Sequence, residues 1–213
     1  MASSKEIVEA ATEVSTLLKN AGIAHAIIGG AACVLLGLPR NTNDVDILIE
    51  PLVSQHHKTI CRKSSRFTIS NNSKIVYRSS ESGVLVPIET LEGGPGSFIR
   101  LPAVDSVPIL TINQVHPSTL LCMKLSRWSW MSESTRAQSQ AKAESDRHDI
   151  MFLLEWLAES QEKITFQGFE ESSRERLLEG LRKLESKYER AEELLKIVLD
   201  EAPVGSNTTV EPP

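Results

Sequence analysis

Two carboxylates one residue apart, Asp44 and Asp46, interrupt an apolar stretch formed by Val45, Ile47, Leu48 and Ile49. In an extended strand residues i and i+2 point to the same side, so both carboxylates face one place. Two charges about 5 Å apart repel by about 3 kcal/mol at an effective dielectric near 20. Such a pair calls for a cation, or for one proton held at a raised pKa. Magnesium or manganese, which take oxygen ligands and bridge phosphates, would suit it. The plainer alternative is that Asp44 caps a turn after Asn41, Thr42 and Asn43 while Asp46 lies on an exposed edge. Glu89 is a third carboxylate, in the otherwise nearly apolar run 84–91. A lone Glu there is unexpected unless it is paired, metal-bound or on a sheet edge. Gly29 and Gly30 join an apolar strand to a short helix, a place where backbone N–H groups can approach a phosphate. A tight turn without any ligand explains most such pairs.

The elements that must position these residues follow from periodicity. Ile7, Val8, Ala11, Val14, Leu17 and Leu18 predict an amphipathic helix over 5–20, with Gly22 ending it. A buried strand is expected over 23–28, a short helix over 31–36 and a second strand over 45–49. Residues 52–66 suggest a polar helix. Further strands are expected over 74–78, 84–91 and 107–112. Pro117 opens a helix running to about Met131, followed by a polar interruption over 132–141 and a helix over 142–160. Leucines at spacings of three and four then predict one long amphipathic helix over 172–202. The order of elements implies an α/β (α+β) fold: a small mixed β-sheet with helices packed on it, extended by a C-terminal helical part.

Composition narrows the setting. The 213 residues are 40% apolar, enough for one domain with a real core. A net charge of −5 argues against a generally cationic nucleic-acid coat. Yet 51–80 holds no acidic residue and carries Lys58, Arg62, Lys63, Arg66, Lys74 and Arg78 beside His56 and His57, a local polyanion-attracting stretch or a solvated edge. Cys33, Cys61 and Cys122 show no zinc spacing and no disulfide framework. No segment approaches the roughly 20 apolar residues of a membrane span, and no signal peptide opens the chain. A soluble, cytoplasmic protein without a membrane partner is the expectation.

Gly29-Gly30, thirteen residues, then Asp44-Val45-Asp46 and a later strand carboxylate resemble the pattern of the DNA polymerase β-like nucleotidyltransferase superfamily. The stretch from Arg40 through Thr42 to Asp46 is similar to the AbiEii-type nucleotidyltransferases, including the toxins of type IV toxin–antitoxin systems. The helix bearing Lys124 and the later helix from Lys142 to Ile150 resemble their helical motifs, so the likeness spans about residues 20–157. It implies a nucleotidyltransferase core over 1–115 and a helical subdomain over 116–202 that completes the active site, while the tail over 203–213, with little to pack, is expected to be disordered by its composition. It also implies a metal-dependent, NTP-consuming enzyme. Asp44, Asp46 and Glu89 would be catalytic metal ligands for Mg2+ or Mn2+. Gly29, Gly30, Arg40, Thr42, Lys124 and Asp146 would lie on the nucleotide and phosphate side. The acceptor is open, with RNA one candidate, and the last helix offers a face for a homodimer.

Two other classes stay open: a catalytically inactive nucleotide-binding or regulatory domain of the same fold, and a helix-mediated interaction protein. Taken singly, the helical residues also have plain readings. Lys124 can snorkel from a half-buried helix. Asp146 can pair with Lys142 along its own helix. His148 has no partner His at metal-ligand spacing. Trp128 and Trp130 suit core or interface packing, with base stacking as the sharper alternative.

Overall fold

The computed structural model describes residues 2–50, 56–70, 74–94, 101–110 and 112–199. The tail at 203–213, the start of the helix expected over 52–66 and the last residues of the helix expected over 172–202 lie outside them.

Helix α1 (Ser4–Asn20) is opened by a capping box in which Ser3 and Glu6 satisfy each other's backbone N–H groups. It buries Ile7, Ala10, Ala11, Val14 and Leu18, and Gly22, at φ +69°, turns the chain out of it. Strand β1 (His25–Ile28) follows, then α2 (Gly29–Leu35) and β2 (Val45–Ile49). Helix α3 (His56–Cys61) precedes β3 (Phe67–Ile69), β4 (Ile75–Arg78) and β5 (Leu85–Glu92). The five strands form one mixed sheet in the order β1-β2-β5-β4-β3, in which only β2 and β5 run parallel. The protein has an α/β fold. Strand β3 carries no alternation long enough to be read in advance.

The strand expected over 107–112 does not form. Pro108 has no N–H to give a ladder, and Asn113 at φ +47° turns the chain sharply. Leu110 N–H therefore bonds Gln114 O at 2.7 Å, and the chain beyond it meets β1 at Ile27, whose N–H and O bond Asn113 O and Val115 N–H, and at His25, which the Asn113 amide approaches at 3.2 Å. Thr111 lies outside the described residues.

The helical part also departs from expectation. Helix α4 (Pro117–Met131) has the anticipated bounds, but α5 (Ala137–Glu159) begins inside the polar stretch expected to interrupt it. Ala137, Gln138, Gln140 and Ala141 are good helix formers, and an exposed first turn needs no apolar stripe. The helix expected over 172–202 is two, α6 (Glu171–Lys187) and α7 (Glu189–Val198), broken at Tyr188, whose backbone is extended (φ −138°, ψ 109°). The break lets Leu177, Leu181 and Leu184 of α6 and Ala191, Leu194, Leu195 and Val198 of α7 all bury, α6 packing on α4 and α7 on α5. The stripe that suggested a dimer face is thus covered within the chain. One hydrophobic core runs through the sheet and the helices.

All three cysteines are free and buried, and burial pushes their thiols up to about 12, 11 and 12 for Cys33, Cys61 and Cys122. No helix among the described residues is long and apolar enough to cross a membrane.

Candidate metal and nucleotide site

Strand register assembles the carboxylates. Asp46 stands opposite Ile28 on β1 and opposite Glu89 on β5, and Asp44 precedes it by two residues on the same face. One oxygen from each of Asp44, Asp46 and Glu89 lies within 4.8 Å of the others. The Thr42 hydroxyl donates to Asp44 Oδ1 at 3.2 Å, and Lys74 Nζ lies 2.5 Å from Glu89 Oε1. Three carboxylates therefore meet one ammonium. The Asp46 carboxyl is pushed up to about 6, first by burial and then by the charges of Asp44 and Glu89, with Lys124 and Lys142 pulling the other way.

The glycines are explained by space as well as by turn geometry. Gly29 adopts φ +68°, and a Cβ there would come 2.0 Å from Asp46 Oδ2. Any side chain would displace the carboxylate. Gly30 is buried, and a Cβ on it would meet Thr42 Oγ1 at 2.8 Å and Arg40 Cζ at 3.3 Å. The pair lets β1 and α2 close down on the loop that delivers Asp44 and Asp46.

Across from the carboxylates, α4 and α5 are joined by a buried ionic cluster. Lys124 Nζ lies 2.6 Å from Asp149 and 3.7 Å from Asp146. Arg127 donates to both oxygens of Asp146, at 2.6 and 2.5 Å. Arg40 pairs with Asp149 and reaches Ser145 Oγ at 3.3 Å. Asp146 and Asp149 are each 1% exposed. Three cations thus surround two carboxylates, and the excess is positive. Lys142, on the same helix, is pushed down by burial and by the charges of Arg127, Lys124 and Arg40.

Between the two groups lies a cleft of about 240 Å³. Its polar wall is Asp46, Lys124, Ser126 and Arg127, with Gly29 beside them. Its apolar wall includes Leu91, Leu101, Met123, Trp130 and Phe169.

Of the residues singled out by sequence, Asp44, Asp46 and Glu89 come together, but of these three only Asp46 lines the cleft, with Gly29 and Lys124 beside it. Gly30, Thr42, Arg40 and Asp146 do not line it. They stand behind it as packing, as a hydroxyl on Asp44, and as members of the ionic cluster. Asp146 pairs with Arg127, not with Lys142. His148 borders a separate shallow hollow with Arg40, Asn41 and Glu144. Trp128 is core at 1% exposure, whereas Trp130 is 60% exposed. Arg127 went unassigned in the sequence. Its signal was the three-residue spacing from Lys124, which puts both cations on one helix face.

The chain matches no known protein-family profile, and no curated protein matches it.

Proposed function

We propose that this protein is a divalent-metal-dependent nucleotidyltransferase that moves a nucleoside monophosphate from an NTP, ATP among the candidates, to a hydroxyl or phosphate acceptor, releasing pyrophosphate. The carrying observation is the convergence of Asp44, Asp46 and Glu89 within 4.8 Å, with Asp46 also lining a cleft that carries Lys124 and Arg127. The donor set fits a hard dication: all three ligands are carboxylate oxygens, and three negative charges exceed the single Lys74 ammonium by two. When bound there, Mg2+ or Mn2+ would neutralise the triphosphate and stabilise charge developing at the α-phosphate.

The chain's own residues would act around that site. Lys124 and Arg127 would hold the β and γ phosphates, each restrained by its carboxylate partner so that little reorganises during transfer. Gly29, bare of a side chain, would leave the phosphates room to approach Asp46. Glu89, half-exposed at the rim, would take the acceptor proton as the new P–O bond forms and the bond between the α-phosphorus and the bridging oxygen breaks. Lys58 and Lys74 border a second hollow on the outer side of Glu89, which favours a polyanionic acceptor such as RNA.

Incubation with α-32P-labelled NTPs, Mg2+ or Mn2+ and total cellular RNA and protein tests the reading. Label transfer by the wild type and its loss in the Asp44→Ala/Asp46→Ala variant are expected; undiminished transfer in the variant overturns it. One observation favours a second reading. The Lys74–Glu89 pair gives the third carboxylate an internal cation, as a nucleotide-binding domain without transfer activity would tolerate. NTP binding without transfer to any acceptor would select that reading.

A further inference from the structure

Met123, Arg127 and Trp130 are spaced i, i+4 and i+7 on α4, so they form one stripe, and all three line the cleft beside Asp46. The opposite side of the same helix carries Leu121, Leu125 and Trp128 into the core, each at most 1% exposed. Two tryptophans only two residues apart therefore have opposite fates. Trp128 is packed, with Tyr188 at 6.4 Å between ring centroids. Trp130 keeps 60% of its surface in solvent, beside Phe169, Leu101 and Leu91. Leaving a large indole exposed in a soluble fold forgoes the burial energy that Trp128 gains.

The cleft is also polarised. Its inner end has a carboxylate, Asp46, facing two cations, Lys124 and Arg127; the rest is largely apolar. A ligand that complements both ends carries phosphates at one end and a flat apolar ring at the other. A bare phosphate or pyrophosphate would leave the apolar wall unused, and a purely apolar ligand would leave the excess cation of the cluster unused.

We infer that the apolar end of the cleft is the nucleobase subsite and that Trp130 stacks on the base of the incoming NTP. The inference rests on the nucleotidyltransferase reading for the phosphate end. Stacking uses the π-face that every base has, so it discriminates weakly. Besides Asp46 and Lys124, the described cleft side chains with hydrogen-bonding groups are Ser126, Arg127 and Trp130 itself, through its indole N–H. Purine nucleotides, with the larger face, bind tighter than pyrimidine nucleotides.

The test compares the full chain with Trp130→Ala and Trp130→Phe by calorimetric titration of ATP and of inorganic tripolyphosphate, each with Mg2+. The expected result is an increase of about tenfold in the Kd for ATP in Trp130→Ala, from the loss of one stacked base. Tripolyphosphate affinity stays unchanged, and Trp130→Phe retains most of the ATP affinity. The exposed position makes folding of both variants straightforward to verify by thermal melting. Equal affinity of wild type and Trp130→Ala for ATP overturns the inference, as does an equal loss for both ligands. An increase in acceptor KM with NTP KM unchanged overturns it too, by assigning Trp130 to the acceptor. If label transfer persists under those outcomes and is abolished by Asp44→Ala/Asp46→Ala, the base subsite alone has failed. If the wild type binds neither ATP nor tripolyphosphate, the underlying reading has failed with it.

Discussion

Asp146 and Asp149 lie 1% exposed between α4 and α5, each within hydrogen-bond reach of cations supplied by the chain itself, while Asp44, Asp46 and Glu89 converge within 4.8 Å with Lys74 as their one paired cation among the described residues. The first group answers its carboxylates from within, with one cation in excess. Its charges are compensated by Arg40, Lys124 and Arg127, and what it does is join the loop after α2 to both helices. The second group is open, and its excess negative charge is paid for by a raised Asp46 carboxyl. The contrast separates an ionic cluster that holds a fold from one that awaits an external cation. Acidity alone does not distinguish them; the count of internal partners does.

The sharpest way to break the comparison is to remove carboxylates from each side. In the open group, Asp44→Ala/Asp46→Ala is expected to cut label transfer by about 10³-fold or more, while the melting temperature of the metal-free protein holds or rises. In the other group, Asp149→Ala strips Arg40 of its carboxylate and leaves Lys124 only Asp146, 3.7 Å away, beneath the surface. It is expected to cost about 3–5 kcal/mol of unfolding free energy by urea denaturation. A loss under 1 kcal/mol would show that the cluster is not structural.

The Asp46 carboxyl gives a pH signature. Its folded pKa, about 6, lies above the ordinary carboxylate value of 3.8. Its contribution to folding is therefore fully present below about pH 4 and is lost as pH rises through 6. In metal-free protein Asp46→Asn should raise stability at pH 7.5 by about 1–3 kcal/mol and by much less at pH 4. Added Mg2+ or Mn2+ should stabilise the wild type and leave Asp46→Asn little changed, measured by thermal shift. Wild-type stability indifferent to both pH and metal would erase the difference between the two groups.

Glu9 offers the mildest contrast. On α1 it accepts from the hydroxyls of Tyr77, Ser79 and Ser80 and from Ser80 N–H, at 2.8, 2.7, 2.6 and 3.1 Å. Those bonds, Ser80 and Ser79 first, hold its carboxyl down at about 2. A lowered folded pKa means stability present above the ordinary value of 4.5 and lost as pH falls toward 2. Discounted for solvent screening, about 1–2 kcal/mol is expected from Glu9 at pH 7. In Glu9→Gln the acid-induced loss between pH 4.5 and 2 should shrink by that amount, read from urea midpoints.

Much of the frame was legible because local rules govern it. The capped first helix, the Gly29 turn and the pairing of Asp44 with Asp46 on one face all follow from spacings of a few residues. Glu89 was legible as an anomaly, a charge in an apolar run, though only register showed it opposite Asp46. The misreadings have different origins. Leu177 to Val198 carries a single continuous stripe, and nothing local says that Tyr188 breaks it so that each half can bury against a different helix. The strand expected over 107–112 failed because Pro108 and Asn113 act against a ladder that apolar content favoured.

What the sequence determined by itself was the inventory: which carboxylates could act as a pair, which turn had to be glycine, and which faces had to bury, since all of these depend on neighbours along the chain. Only the tertiary structure decided which charges are answered from within and which are left open. Arg40 is over a hundred positions from Asp149, and Lys124 and Arg127 reach their partners from another helix. Coulomb energy depends on distance in space and on burial, neither of which spacing along the chain records.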